Sequence, residues 1–279
     1  GVESVPEWRG RTLEGHSTTR LLADTLAGVE KHPNICIHTR TQVITAIGDV
    51  GRFHTTIEGP QGAVRVLSHG VTILATGGKE ALTTSFGYGT SPSIITQKEL
   101  EQKLANGTMD PGQLNSVVMI QCVDSREEPR NYCSRVCCAS ALKHALYLKE
   151  KNPALSIYIL YRDMMTYGFA ETYYTRAREA GVIFIQYRVD AKPRVKTAKE
   201  SPEVMILEPI LGRQLKIEAD LVVLATGVVS NLPQDLAQSF GASADQDGFF
   251  QAADSKWRPV DALKEGVFAC GLTHSPRTI

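Results

Sequence analysis

The sequence of 279 residues has no net charge, no long apolar run and no recognisable secretory leader. It holds 30 lysines and arginines against 30 aspartates and glutamates, so bulk electrostatics offers no attraction to nucleic acid or to a charged membrane surface. No apolar stretch approaches the roughly 20 residues of a membrane-spanning helix, and the N-terminal segment lacks the pattern of a signal peptide. We therefore predict a cytoplasmic protein with no direct membrane span and no nucleic-acid partner.

Cysteine is scarce outside one segment. Cys36 and Cys270 are isolated, and the other four of the six cysteines follow the spacing C-x10-C-x3-C-C with no histidine between them: Cys122, Cys133, Cys137 and Cys138. In a reducing compartment, such a group indicates a metal site more than a disulfide framework. Four soft thiolates are a complete ligand set for a metal centre, which points to electron transfer.

Four cysteine thiolates are the ligand set of an iron–sulfur cluster. Two alternatives to such a cluster stay open. A zinc site with four cysteine ligands is one, although zinc sites usually pair their cysteines as C-x2-4-C and the adjacent Cys137 and Cys138 depart from that spacing. A segment that binds no metal is the other. An NAD(P)H-dependent disulfide reductase would need a Cys-x-x-Cys pair and a glycine-rich nucleotide loop, and the sequence contains neither.

Short strand-like runs alternate with helical patterns along the chain, which predicts an α/β fold. In the first third, turn signals separate β-like runs of a predicted antiparallel meander, at 35–38, 42–47, 53–57 and 64–67. From residue 116 onward, strands predicted at 116–121, 155–161 and 182–187 alternate with helices predicted at 134–149 and 171–179. Leu-Ala-Thr-Gly occurs at 74–77 and again at 224–227, which suggests two related dinucleotide-fold halves.

Several motifs together resemble the family of the heterodisulfide reductase A subunit, a thioredoxin-reductase-like group of FAD and iron–sulfur proteins. They are Gln121-Cys-Val-Asp-Ser-Arg126, Tyr132-Cys-Ser-Arg-Val-Cys-Cys138, Tyr161-Arg-Asp163, Thr166-Tyr-Gly-Phe169 and Cys270-Gly-Leu-Thr-His-Ser-Pro276. The resemblance runs from about residue 10 to the last residue. It implies two Rossmann-like dinucleotide-binding domains of the two-domain flavoprotein type.

One departure concerns the Gly-x-Gly-x-x-Gly loop with which this family binds the FAD pyrophosphate, because the sequence has no such loop. We therefore expect the first domain to be incomplete and the chain to be a fragment that is inactive alone. The expected domains are residues 1–90 as a partial FAD-binding domain with the meander, 91–114 as a connector, 115–240 as the cysteine-bearing dinucleotide-fold domain, and 241–279 as a return to the FAD domain.

The resemblance also implies roles for individual residues. The four clustered cysteines would hold a [4Fe-4S] cluster, and Lys143 would face the flavin. The other predicted FAD contacts are the first Ala-Thr-Gly end and a late strand-glycine motif: Thr76, Gly77, Gly78, Cys270, Gly271 and Leu272. The alternatives are a solvated helix lysine at 143, an ordinary glycine turn after residue 76, and a buried, small apolar role for Cys270.

Other side chains near these motifs have two interpretations each. Arg126, Arg135 and Arg162 would either steady the charge of the cluster or a partner, or lie on the surface as arginines usually do. Tyr167 and Phe169 would either line the cofactor cavity or pack in the core.

The resemblance implies that the whole protein is an oxidoreductase subunit. Electrons would pass between FAD, the cluster and partner subunits, namely other heterodisulfide reductase-like or hydrogenase-linked electron-transfer subunits, and a homodimer is left open. The alternatives are a zinc-stabilised interaction domain without a redox role and an NAD(P)H-dependent disulfide reductase.

Overall fold

The computed structural model describes residues 17–197 and 201–277. The chain forms two compact units. The first contains Leu22–Lys79 and Val228–Arg277, and the second contains Glu80–Gly227. The junctions after Lys79 and Gly227 precede the sequence-based boundaries placed after residues 90 and 240.

A three-stranded antiparallel meander forms part of the first unit. Its strands are β1 (Gln42–Ile47), β2 (Phe53–Glu58) and β3 (Val64–His69), with β2 in the centre. The strand predicted at 35–38 is wrong, because these residues follow helix α1 (Thr18–Lys31) as exposed, irregular chain. A β-like run without a neighbouring strand or a buried face gains nothing from extension. Helix α1 was not predicted.

The rest of the first unit surrounds two short strand pairs. Strand β4 (Thr72–Leu74) pairs in parallel with β15 (Val267–Ala269), and β5 (Gly78–Glu80) pairs with β14 (Val228–Ser230). Helix α5 (Gln234–Ser239) completes the regular elements. The core of this unit is apolar and includes three phenylalanines, with Phe53, Leu74, Phe240, Phe250 and Val267 buried.

A five-stranded parallel sheet forms the centre of the second unit, which confirms the predicted α/β fold. The strand order is β6-β13-β7-β8-β9, from β6 (Ile94–Thr96), β13 (Leu221–Leu224), β7 (Ser116–Ile120), β8 (Ser156–Tyr161) and β9 (Ile183–Gln186). The helices are α2 (Gln97–Ala105), α3 (Cys137–Lys151) and α4 (Glu171–Glu179). A separate antiparallel sheet contains β10 (Arg194–Lys196), β11 (Glu203–Glu208) and β12 (Arg213–Glu218).

Strand β7 is buried on both faces, as its unbroken apolar sequence requires. Val117 and Met119 belong to one core cluster with residues of α3, whereas Val118 and Ile120 belong to another with residues of β11 and β12. Since β7 has parallel neighbours on both sides, the carboxyl ends of β13, β7 and β8 lie at one edge of the sheet. That edge is where ligands bind in open α/β sheets.

No helix among the described residues combines the length and the apolar character needed to cross a bilayer.

Candidate functional site

A small cavity in the second unit brings the four clustered cysteines together. It is lined by Cys122, Ser125, Arg126, Cys133, Ser134, Arg135, Cys137, Cys138 and Met165. All four cysteines are free thiols. The structure therefore places the complete predicted ligand set around a single space, although up to sixteen positions of sequence separate its members.

The ends of two elements position these cysteines. Cys122 lies two residues beyond the end of β7, and Val123 N donates to Ala225 O at 3.0 Å, which holds the turn against the residue after β13. Cys137 and Cys138 lie on the first turn of α3, where unpaired backbone N–H groups carry partial positive charge. Val136 at the N-cap makes no side-chain capping bond, so this end of the helix relies on other acceptors.

The loop between β7 and α3 has an unusual backbone. Cys122, Asp124, Arg126 and Arg135 have φ angles of 57°, 48°, 63° and 59°, in the left-handed region that disfavours side chains other than glycine. Each such residue costs roughly 1–2 kcal/mol, and surrounding contacts must hold it in place. Strain of this kind is concentrated at functional sites, so the loop is the first place to look for a function.

Hydrogen bonds from neighbouring segments hold the loop. Asp124 accepts from Thr83 Oγ1 at 2.5 Å and from Ser85 Oγ at 2.6 Å. Arg162 Nη1 donates to the carbonyl oxygens of Ser125 and Arg126, both at 3.1 Å. These contacts fix backbone conformations that the loop would not adopt alone.

The electrostatics of the cavity favour neutral thiols over thiolates when no metal is bound. Burial raises the pKa of Cys122, while a hydrogen bond from Arg126 opposes the rise. Burial, followed by the nearby Cys138, Cys122 and Cys133 sulfurs, raises the pKa of Cys137. Burial also raises the pKa of Cys138 to about 11. A metal that binds here must therefore displace protons from the thiols.

Within residues 17–197 and 201–277, no three His, Cys, Asp or Glu side chains are placed to hold a single metal ion. The cysteines surround the cavity, but they do not converge on one point. Two sulfurs already have local partners: Cys138 Sγ donates to Asp163 O at 3.7 Å, and Cys133 Sγ accepts from Arg135 N at 3.3 Å.

The predicted FAD-contact motifs of the first unit also meet. Cys270 N donates to Leu74 O at 3.0 Å at the ends of β15 and β4, and Gly77 N donates to Thr273 Oγ1 at 2.9 Å. A Cβ atom added to Gly78 would lie 3.2 Å from Leu272 Cβ, so the absent side chain permits this close approach. Six of the seven predicted contacts therefore lie together: Thr76, Gly77, Gly78, Cys270, Gly271 and Leu272.

Two single-residue interpretations are corrected by the structure. Cys270 is exposed, so its interpretation as a buried, small apolar residue is wrong. Tyr167 and Phe169 are 69% and 84% exposed, so packing in the core is wrong for both. Lys143 lies half-buried on α3 in the second unit, and its Nζ is 5.4 Å from the centre of the Tyr173 ring.

Sequence reasoning missed several residues of the site. Ser125, Ser134 and Met165 line the cavity. Tyr187 supports it, because its buried hydroxyl donates to Gln121 O at 2.5 Å, next to Cys122. Met165 follows the end of β8, the next strand along the chain after the cysteine segment. Its place after a predicted strand end was the available signal.

Gly227, in the second Ala-Thr-Gly copy, sets the distance between β13 and the cysteine loop. Its φ is +84°, and a Cβ atom there would lie 2.6 Å from Ser134 Oγ. A side chain at this position would therefore require the Ser134 hydroxyl to move.

Curated proteins similar to this chain are named for the A subunit of a heterodisulfide reductase. The A subunit of a ferredoxin:CoB-CoM heterodisulfide reductase of Methanosarcina acetivorans is 32% identical over 76% of this chain and 32% of its own length. The iron-sulfur A subunit of the CoB–CoM heterodisulfide reductase of Methanocaldococcus jannaschii is 36% identical over 76% of this chain and 35% of its own length. A protein of Archaeoglobus profundus, named for its likeness to the same A subunit, is 33% identical over 79% of this chain and 36% of its own length. The chain thus spans about a third of these relatives.

Solved structures show the fold. The thioredoxin reductase of T. acidophilum superposes with a TM-score of 0.57 at 16% identity, covering 94% of this chain and 74% of that one. The flavoprotein disulfide reductase RclA of Escherichia coli gives a TM-score of 0.55 at 13% identity, covering 94% of this chain and 51% of that one. These likenesses confirm the predicted class of Rossmann-like dinucleotide-binding domains.

No protein-family profile matches the chain. The curated relatives carry the assignment instead. Archaeal proteins named as the A subunit of a heterodisulfide reductase align with about three quarters of the chain at 32–36% identity. The chain belongs to the family of the heterodisulfide reductase A subunit.

Proposed function

We propose that this chain is part of an electron-transfer oxidoreductase subunit in which Cys122, Cys133, Cys137 and Cys138 hold a [4Fe-4S] cluster. Electrons pass between this cluster, FAD and partner subunits. The observation that carries the proposal is the enclosure of a single cavity by all four thiols at the ligand-binding edge of a parallel sheet.

The donor set fits a cluster better than a single zinc ion. A zinc ion binds four thiolates at about 2.3 Å from one centre, which requires the sulfurs to converge. In a cluster each thiolate binds a different iron atom, so the sulfurs need only surround the group. The four cysteines line the cavity, and no three candidate ligands in the described part of the chain are placed around one ion.

When bound, the cluster supplies one-electron transfer. The residues of the chain prepare its place. The four thiols release their protons to become ligands, and the first turn of α3 offers partial positive charge toward the anionic group. Arg162 and Asp124 keep the strained loop in its conformation through their hydrogen bonds. Met165 places an apolar side chain at the wall of the cavity, which limits the entry of water.

The FAD proposal concerns the strand ends of the first unit. Thr76, Gly77 and Gly78 meet Cys270, Gly271 and Leu272 there, and we propose that this surface lies against the flavin. Gly77 leaves the backbone open to close approach, as a bound cofactor needs, because no atom lies within 4 Å of the place its Cβ would take. Lys143 is proposed as a cation that stabilises the reduced flavin.

The partners are proposed from the names of the relatives. Those names describe the A subunit of enzymes that act on the CoB-CoM heterodisulfide, and some include ferredoxin or H2. We propose that the whole protein exchanges electrons with other subunits of such an assembly. In this chain the loop that follows β7 carries the cysteines and has no glycine-rich nucleotide motif, so we expect no nicotinamide nucleotide at that site.

The test is elemental analysis of chain purified without exposure to oxygen. Four iron and four sulfide per chain, with an electron paramagnetic resonance (EPR) signal after reduction, are the expected result. Stoichiometric zinc without iron would favour the interaction-domain alternative and overturn the proposal. Titration with NADH gives a second measurement, in which saturable binding at micromolar concentration would contradict the assignment of the loop.

A further inference from the structure

The guanidinium of Arg126 is part of the cysteine cavity. Arg126 lines the cavity beside Cys122, and its Nη2 lies 2.6 Å from Asp163 Oδ2. Its Nη1 is buried and has no hydrogen-bond partner among the described residues. A buried cationic donor without an acceptor is costly, so the arrangement indicates that an electron-rich group belongs next to it.

The chain holds this cation in a fixed position. Arg126 N donates to Arg130 O at 2.8 Å, and Arg162 Nη1 donates to Arg126 O at 3.1 Å. The side chain of Arg126 is 25% exposed, whereas that of Asp163 is 54% exposed. Solvent therefore screens the carboxylate more than the guanidinium, and the pair presents net positive charge to the cavity.

The position of Arg126 in the lining of the cavity, with Asp163 paired to it from outside the lining, has a redox consequence. Reduction adds an electron to a cluster that already carries the charge of four thiolates. Nearby positive charge stabilises the reduced form and raises the midpoint potential, whereas negative charge lowers it. Net charge and hydrogen bonds to the sulfurs are among the factors by which proteins set such potentials.

We infer that Arg126 and Asp163 together set the midpoint potential of the cluster, Arg126 by raising it and Asp163 by lowering it. This inference rests on the proposed function. It assigns Arg126 as a positioning and tuning residue, because it acts through Cys122 and the cluster and does not carry the electron itself.

The experiment is a redox titration of the full chain, purified without oxygen and followed by EPR. Arg126→Gln removes the cation and should lower the ratio of reduced to oxidised cluster at a fixed solution potential by about tenfold, which is 59 mV for a one-electron couple. Asp163→Asn should shift the ratio in the opposite direction, because it removes the compensating carboxylate. A general defect in folding would not give opposite shifts.

Arg188→Gln is the matched control. Arg188 is also paired with an aspartate, since its Nε lies 3.0 Å from Asp190 Oδ1, but its side chain is 81% exposed and it does not line the cavity. The substitution changes the net charge by the same amount as Arg126→Gln. It should leave the potential unchanged.

The outcomes separate the two proposals. Wild-type chain without iron overturns the proposed function, whereas wild-type chain with a cluster whose potential is the same in both variants overturns only the inference about Arg126 and Asp163. Arg126→Lys keeps the positive charge. It tests the inference even if the glutamine variant loses its cluster. The lysine variant should retain a midpoint potential near the wild-type value. A shift in the lysine variant as large as that in the glutamine variant would contradict the inference. A downward shift of the potential in Asp163→Asn would contradict it as well.

Discussion

Tyr187 donates a 2.5 Å hydrogen bond from its hydroxyl to the carbonyl oxygen of Gln121, the residue before Cys122. Tyr187 follows β9 and Gln121 follows β7, and β8 lies between these strands in the sheet. The hydroxyl therefore reaches past the end of β8 to hold the start of the cysteine loop. Burial raises the pKa of this phenol, so the hydroxyl remains protonated and donates at neutral pH.

Tyr187→Phe should lower the free energy of unfolding by about 1–2 kcal/mol, because it removes the partner of a buried carbonyl. Urea denaturation measures the change. Tyr167→Phe is the control, since Tyr167 is 69% exposed and its hydroxyl has water in both states. Equal stability of Tyr187→Phe and wild type would show that the bond does not hold the loop.

Cys137→Ala should abolish the bound iron and the visible absorbance of anaerobically purified chain, since one iron atom would lose its ligand on the first turn of α3. Cys36→Ala is the matched control, because Cys36 is exposed and lies in the first unit. Iron and sulfide analysis of both variants shows whether Cys137 is a ligand of the cluster. Full retention of iron in Cys137→Ala, or equal loss in both variants, would remove Cys137 from the proposed ligand set.

Gly227→Ala should destabilise the second unit by more than a left-handed alanine alone costs. At φ +84° the methyl group carries roughly 1–2 kcal/mol of backbone strain, and its overlap with Ser134 Oγ at 2.6 Å adds about 1–3 kcal/mol. Gly212→Ala isolates the first contribution, because Gly212 has φ +61° and no atom within 4 Å of the added Cβ. Unfolding free energies that are equal for the two variants would mean that the loop moves aside without cost.

Glu80 should make stability depend on pH. Burial raises its pKa above 4.5, and hydrogen bonds from Thr96 and Lys98 oppose the rise without cancelling it. The folded chain therefore holds this proton more tightly than the unfolded chain does. As the pH rises from about 4.5 through the raised pKa, the contribution of Glu80 to stability falls, and above that pKa it stays constant.

Glu80→Gln removes this titration. Urea denaturation between pH 4.5 and 7 should show the variant gaining stability relative to wild type as the pH increases. Glu265→Gln, at an exposed carboxylate, serves as the control and should follow the wild-type profile. A constant difference between Glu80→Gln and wild type across the range would contradict the raised pKa.

The cysteine spacing predicted that the four thiols lie around one space, because their identity and their proximity in sequence were enough. Cys133, Cys137 and Cys138 precede or begin one helix, so local geometry alone brings them near each other. The alternation of strands and helices likewise predicted the parallel sheet, since a buried strand such as β7 has an unmistakable apolar sequence.

What the sequence did not reveal depends on contacts between distant segments. Met165 reaches the cavity, and Asp163 reaches Arg126, because β8 pairs with β7. The order of strands in a sheet cannot be read from local sequence patterns. Cys270 was interpreted as buried from the average behaviour of cysteine, whereas its exposure depends on where β15 ends. Helix α1 was overlooked although its sequence is amphipathic, and in the structure its apolar residues Leu21 and Leu26 are exposed.

The left-handed positions of the cysteine loop limit which sequences can replace it. At Asp124 and Arg126, glycine or asparagine can adopt the required backbone at little cost, whereas valine, isoleucine and threonine cannot, whatever their polarity. Random mutagenesis of this loop should therefore yield only a few residue types at these two positions, even when variants are selected for folding alone. A graft of the four cysteines into another α/β scaffold will need the intervening backbone as well as the ligands.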